Sequence, residues 1–146
     1  MANAYVFEAE LLDAPGVGCR LALRASDTLE ELHRLLRRAF AWHDDHLYSF
    51  WLDGEFWGDR EREYTAPFDF EESDAKSAAT PLDRLGLEVG QRIAYVFDFG
   101  DEWRVLLTVA DRKPAEGETL PGIVESRGEP PPQYLPVDDE EIGTGD

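Results

Sequence analysis

The sequence is short of cysteine and has no long apolar run, and each lack excludes a class of protein. Cys19 is the only cysteine among the 146 residues, so these residues contain neither a disulfide framework nor a cysteine-rich zinc site. No apolar stretch approaches the roughly 20 residues that span a bilayer. The first residues also lack the basic and then apolar pattern of a signal peptide. We therefore expect a cytoplasmic protein that makes no contact with a membrane.

Basic residues are scarce as well. There are 14 Lys and Arg against 32 Asp and Glu, which gives a formal net charge of −18. Such a charge repels nucleic-acid phosphates, so direct binding of DNA is disfavoured. Two interpretations stay open: the acidity serves only solubility, or an acidic surface meets a basic protein partner.

Hydrophobic residues make up 42% of the sequence and aromatic residues 12%, which is enough for a core in one domain of this length. Apolar and polar residues alternate in several segments, and this pattern is typical of half-buried strands. The residues predicted to share the buried face of their strands are Tyr5, Phe7, Ala9 and Leu11, then Cys19, Leu21 and Leu23, and later Trp103, Val105, Leu107 and Val109. Further strands are predicted at 46–52, 55–57 and 92–99, the first two joined by a hairpin turn at Asp53-Gly54.

One amphipathic helix is predicted after the second strand. Thr28 followed by Glu31 fits a capping box. Apolar side chains then recur at helical spacing, at Leu29, Leu32, Leu36 and Ala39. Arg34, Arg37 and Arg38 lie off this apolar stripe near the C-terminal end. They either face solvent, where cations suit the helix dipole, or form a small basic patch for an anionic ligand.

These elements predict an α+β fold in the order β-β-α-β-β-(loop)-β-β, similar to the β-grasp arrangement. The sheet is expected to be mostly antiparallel or mixed and to pack on one main helix. The polar segment 58–81 is predicted to be a long loop that Phe68 and Phe70 partly order. We expect a single domain over 1–136 and a disordered acidic tail over 137–146.

Two motifs add a resemblance to a known family. The first comprises Thr28-Leu29, Leu32-His33, Ala39-Phe40, Trp42, His46-Leu47 and Phe50, and the second comprises Tyr95, Asp98-Phe99-Gly100-Asp101 and Trp103. In this order they are similar to the plasmid pRiA4b ORF-3-like family, over residues 5–132. The resemblance implies a compact bacterial or archaeal domain, often encoded on plasmids and mobile elements, with no established activity. The chain departs from the family pattern at Tyr48 and Val105, where histidine is usual.

Some members of that family carry a label that links them to transposon resolvases, which implies a serine nucleophile surrounded by cations. Ser26 and Ser49 are the serines nearest to an arginine or histidine, but the net charge of −18 argues against strand exchange by this chain. A metal site is another candidate, because imidazole and carboxylate bind zinc or manganese. Its candidate ligands are His33, His43, His46, Asp98 and Asp101. Each can equally be an ordinary structural residue, and we predict no cofactor.

The second motif also suggests acid–base chemistry, because Asp98 and Asp101 could share a proton. Asp and Gly are equally what a tight turn requires. The aromatic residues could line a ligand groove or fill the core, and Trp51 and Trp57 are predicted to be exposed beside the hairpin turn. The residues predicted to bind a ligand or to define the site are His46, Asp98, Gly100, Asp101, Trp103, Trp42 and Arg20.

The leading hypothesis is a non-enzymatic binding or adaptor domain that presents an acidic surface to a protein partner. The main alternative is a metal-assisted hydrolase that uses Asp98, Asp101 and His46, with Arg20 nearby as an electrophile. A third hypothesis is acidic mimicry of nucleic acid, in which carboxylates occupy the cleft of a DNA-binding protein.

Overall fold

The computed structural model describes residues 3–43, 45–66, 76–114 and 120–133. Over these ranges the chain forms one α-helix and a sheet of eight strands. The elements are β1 Asn3–Leu11, β2 Gly18–Arg24, α1 Leu29–Ala39, β3 Tyr48–Trp51, β4 Glu63–Thr65, β5 Lys76–Ser77, β6 Arg92–Phe97, β7 Trp103–Pro114 and β8 Gly122–Arg127. Two short 3₁₀ turns lie at Arg60–Arg62 and Leu82–Arg84.

The strands lie in the order β5-β4-β3-β6-β7-β1-β2-β8. All neighbouring pairs are antiparallel except β4 and β5, which are parallel. The predicted class, an α+β fold with a mixed sheet and one main helix, is therefore confirmed. In the described part of the chain, no helix is both long and apolar enough to cross a membrane.

The main core contains apolar residues of α1 and of one face of the sheet. The three alternating sets predicted from the sequence all belong to it, from Tyr5 on β1 to Val109 on β7, with Trp103 partly buried at its margin. Leu29, Leu32 and Leu36 of α1 are fully buried in the same core. Because every second residue of a strand points to the same side, this alternation was sufficient to predict the buried face.

Both ends of α1 are closed by local hydrogen bonds. Thr28 Oγ1 accepts from the amide of Glu31 at 3.2 Å, as the capping box predicts. At the other end Ala41 has φ +60°, the amide of Trp42 donates to the carbonyl of Arg37 at 2.9 Å, and the amide of Ala41 donates to that of Arg38 at 3.3 Å. This is a Schellman closure with alanine where glycine is usual.

The segment after β3 differs from the prediction. A turn lies here, with Gly54 at φ +79° and its amide bonded to the carbonyl of Trp51. That bond places Leu52 and Asp53 at the centre of the turn, and Asp53 lacks the positive φ that a hairpin turn at Asp53-Gly54 requires, so the predicted turn type is wrong. The segment 55–57 is not a strand. Trp57 has φ +57°, which is incompatible with extended backbone, and β3 pairs with β4 instead. Parts of the predicted loop 58–81 are therefore ordered, as β4 and β5. The strand β8 is absent from the sequence-based prediction.

Two other expectations concern residues outside the described ranges. Phe68 and Phe70, predicted to order the long loop, lie there. So does the segment 137–146, predicted to be a disordered acidic tail.

Candidate functional site

The second motif forms the connection between β6 and β7. Asp98 and Glu102 both have left-handed backbone, with φ +66° and +55°. The carboxylate oxygen Oδ1 of Asp98 accepts hydrogen bonds from the amides of Gly100 and Asp101, at 3.1 and 3.3 Å. Asp98 thus closes the turn through its side chain, which supports the structural interpretation. Its contact with Asp101 is to the backbone amide, so the geometry does not support a proton shared between the two carboxylates.

His46 lies beside this turn. Its Nε2 is 3.7 Å from Oδ2 of Asp98, and its ring meets Phe97 edge-on, with centroids 5.8 Å apart. The structure thus brings together two of the residues predicted to define a site. A separation of 3.7 Å indicates an electrostatic contact rather than a short hydrogen bond.

Trp42 and Trp103 also meet, but mainly as packing residues. Trp42 is only 2% exposed and stacks on Phe97, with centroids 4.7 Å apart and planes 12° apart. Trp103 lies 5.8 Å from Trp42. These rings therefore extend the core to the β6–β7 turn and do not form an open groove of their own.

Arg20 lies elsewhere, so the prediction that it stands near His46 and Asp98 as an electrophile is wrong. It projects from β2 and bonds to the carboxylate of Glu8 on β1. Glu8 also pairs with Arg127 of β8 at 3.1 Å. Two strands, β7 and β1, separate β2 from β6 in the sheet, and the sequence did not reveal this distance.

His33 is held in a buried network that the sequence did not predict. Its Nδ1 lies 2.8 Å from the hydroxyl of Tyr95, and its Nε2 lies 3.0 Å from Oδ1 of Asp45. The ring stacks on Tyr48 at 3.6 Å. Burial lowers the pKa of His33 to about 4, against the opposing effect of the Asp45 carboxylate. His33 is therefore neutral at neutral pH, and both of its ring nitrogens are engaged.

The other candidate chemistries find little support in the described ranges. Those residues contain no group of three or more His, Cys, Asp or Glu side chains that could hold a metal ion. Ser49 is fully buried and donates to the carboxylate of Glu63 at 2.7 Å, so it is not placed as an exposed nucleophile. Burial raises the pKa of the Cys19 thiol to about 12, which keeps it protonated and unreactive.

A small aromatic cluster lies on the sheet face opposite α1. It is built from Trp51, Phe56, Trp57 and Phe99. Trp51 was predicted to be exposed and is 1% exposed, because Trp57 lies across it at 5.2 Å. Trp57, the other ring predicted to be exposed, is 44% exposed.

Trp57 is held against the β6–β7 turn by two contacts. Its ring meets Phe99 at 5.1 Å, and its indole Nε1 donates to Oε1 of Glu102 at 3.4 Å. Arg104 donates to the same oxygen at 3.0 Å and lies over the ring of Phe56 at 5.5 Å. Hydrogen bonds from Arg104 and Trp57 lower the pKa of the Glu102 carboxyl, so this group carries its charge over a wide pH range.

The Trp57 surface, as we name it, comprises Trp57 and the exposed carboxylates on the two turns that meet there. These are Glu55 and Asp59 on the turn of Trp57, and Asp101 and Glu102 on the β6–β7 turn. Both turns contain a left-handed residue other than glycine, Trp57 and Glu102. Such backbone costs about 1–2 kcal/mol per residue and is found preferentially at functional sites.

Comparison with known proteins gives a family and a fold. The family model described as "Plasmid pRiA4b ORF-3-like protein" matches residues 3–135. A protein of Sinorhizobium fredii (strain NBRC 101917 / NGR234), named "Uncharacterized protein y4hQ", is 29% identical over 126 residues, which is 82% of this chain and 59% of that protein. The chain thus spans about three-fifths of that relative.

A crystal structure gives the second comparison. It is that of MM3350 from Methanosarcina mazei Go1, titled a protein of unknown function. It superposes with a TM-score of 0.70 and 21% identity over 86% of this chain and 70% of the other. At that identity the likeness shows the fold alone.

Proposed function

This chain belongs to the plasmid pRiA4b ORF-3-like family, and we propose that it is a non-enzymatic binding or adaptor domain that engages a basic protein partner. The contact is made by the Trp57 surface. The relatives above carry no named activity from which a function could be transferred, so the proposal rests on the residues of this chain.

The observation that carries the proposal is the position of Trp57. Trp57 is the only aromatic residue among the large exposed hydrophobic residues of the described ranges. Its backbone is left-handed, a conformation that costs conformational free energy and that clusters at functional sites. Tryptophan is the residue most enriched at the energetic centres of protein interfaces, because one rigid ring supplies a large contact area.

The charge around the ring determines the kind of partner. The face of an indole attracts a Lys or Arg cation, and the carboxylates of Glu55, Asp59 and Asp101 can accept charge-assisted hydrogen bonds from it. The segments outside the described ranges contain twelve acidic residues and no basic one. Their charge would draw a basic partner from a distance and speed its association.

The same geometry argues against the hydrolase alternative. Asp98 uses its carboxylate to close a turn, His33 has both ring nitrogens engaged, and Arg20 lies on another part of the sheet. His46 and Asp98 remain as a pair, without the electrophile that the mechanism requires. Mimicry of nucleic acid differs from our proposal in one respect: binding would depend on the carboxylates and not on the Trp57 ring.

The test uses a short synthetic peptide rich in Lys and Arg, with a Glu-substituted peptide as the negative probe. Binding to the intact chain is measured by calorimetry at two salt concentrations. Trp57→Ala removes the ring and leaves the charge unchanged, and we expect it to weaken binding by at least about tenfold.

Val89→Ala is the matched control, because Val89 is an apolar residue that is 62% exposed in another loop. It should bind the basic peptide as the wild type does. Equal affinities for wild type and Trp57→Ala would contradict the proposal and favour a contact made by charge alone, as nucleic-acid mimicry requires.

A further inference from the structure

We propose that a groove at the C-terminal end of α1 binds a small molecule that carries a phosphate group. The groove is lined by Arg34, Arg37, Arg38, Ala41, Trp42 and His43 and has a volume of about 460 Å³. This volume lies in the range of small-molecule sites. The site is separate from the Trp57 surface and has the opposite charge, so it does not depend on the function proposed above.

The arginine groove, as we name it, gathers cations where the composition makes them rare. Three of the 14 basic residues line it, in a chain whose net charge is −18. The helix dipole also stabilises cations near a helix C-terminus. That effect, however, does not require the arginine side chains to line a groove or to lie close to one another. Here three arginines line one concave surface beside the exposed residue Ala41.

The backbone that forms the groove is fixed. The closure of α1 at Ala41 occupies the terminal carbonyls of Arg37 and Arg38, so fewer free carbonyl oxygens face an anion at this helix end. Arg37 donates from Nε to the carbonyl of Trp42 at 3.2 Å and from Nη2 to that of His43 at 2.6 Å. Its guanidinium is therefore already oriented before a ligand arrives, which lowers the entropic cost of binding.

The three arginines differ in how far they are already neutralised. Arg34 pairs with Glu30 at 3.3 Å and with Glu31 at 3.0 Å, and Arg37 lies 3.7 Å from a carboxylate oxygen of Asp45. Arg38 is exposed, and its guanidinium has no hydrogen-bond or ion-pair partner in the described ranges. Arg38 is thus the cation available to a ligand, and Arg37 is its pre-oriented neighbour.

A phosphate group fits this arrangement better than a carboxylate. It carries up to two negative charges and three acceptor oxygens, so one group can bond to Arg37 and Arg38 together. The free guanidinium fork of Arg38 matches two phosphate oxygens, and Arg37 adds the N–H groups that its bonds to the Trp42 and His43 carbonyls leave free. The volume exceeds that of one inorganic ion, and the exposed side chain of Ala41 supplies an apolar contact for an organic part. The ligand class is therefore a small organic phosphate.

The experiment titrates the intact chain with phenyl phosphate and, separately, with benzoate at equal ionic strength. Binding is followed by calorimetry and by the backbone amide resonances of residues 37–43. We expect phenyl phosphate to bind with shifts confined to these residues, and benzoate to bind at least about tenfold more weakly. The Trp57→Ala variant should bind phenyl phosphate unchanged, so this result stands apart from the test of the protein partner.

Arg38→Gln should weaken the binding of phenyl phosphate by at least about tenfold, because a charge-assisted bond is lost. Arg84→Gln is the matched control, since it removes one exposed cation elsewhere. Equal losses of affinity for phenyl phosphate in the two variants would show that only the overall charge matters and would overturn the proposal. Equal binding of benzoate, or no binding at millimolar phenyl phosphate, would overturn it too.

Discussion

The stability of the protein should fall as the pH drops from about 6.5 to about 4, and His33 should account for a separable part of the loss. Burial of the His33 side chain between α1 and the sheet lowers its pKa from 6.5 to about 4, in spite of the nearby Asp45 carboxylate. In the unfolded chain the same imidazole takes up its proton near pH 6.5. Between these two values the unfolded state binds more protons, so acidification favours unfolding.

The magnitude follows from the difference in pKa. Each unit corresponds to 1.36 kcal/mol, so the shift of His33 contributes about 3 kcal/mol. This contribution is fully present above the unfolded pKa, is lost progressively below it, and is gone once the pH reaches the folded pKa. Below that pH, His33 no longer contributes to the change of the free energy of unfolding with pH.

The assay is urea unfolding at half-unit steps from pH 7 to pH 4.5, for the wild type and for His33→Gln. The variant is expected to be less stable at pH 7, because two hydrogen bonds of the buried network change. Its free energy of unfolding should nevertheless fall less steeply with acid, so the two curves should converge. The titrating carboxylates that do not contact His33 are common to both proteins and cancel in the difference. Parallel curves over the whole range would refute the reasoning.

Substitutions at two further positions test the backbone of the candidate sites. Ala41→Gly should stabilise the fold by about 1 kcal/mol in thermal unfolding, because glycine adopts φ +60° without strain; a loss of stability, as for glycine inside a helix, would contradict this assignment. Asp98→Ala should cost about 1–2 kcal/mol in urea unfolding, because the amides of Gly100 and Asp101 lose their acceptor. Asp98→Asn should cost clearly less, since Asn keeps an acceptor oxygen and tolerates left-handed backbone, and equal costs would count against the role of Asp98 in the turn.

Features with a local signal in the sequence were predictable. The alternation in β1, β2 and β7 specified which residues face α1, and Thr28 with Glu31 marked the start of the helix. The second motif pointed to a turn at Asp98, which the structure contains. In each case the residues concerned are close in the sequence, so their spacing alone carries the information.

Features that depend on distant parts of the chain were not predictable. His33 and Tyr95 are 62 positions apart, and no spacing rule links them. Arg20 pairs with Glu8 because β2 lies beside β1, and the order of strands in the sheet cannot be read from local spacing. At Trp57 the hairpin signal of Asp53-Gly54 suggested a strand, but the ring packs on Trp51 and Phe99, and this tertiary contact overrides the local preference of the backbone.

The most direct test of the proposed function is a two-dimensional NMR spectrum of the four tryptophan indole N–H groups during titration with the basic peptide. We predict that the Trp57 indole resonance shifts most and saturates at one peptide per chain, because its hydrogen bond to Glu102 lies at the contact. The buried indoles of Trp42 and Trp51 should shift less. Shifts centred on other residues, with the Trp57 resonance unmoved at saturation, would contradict the account.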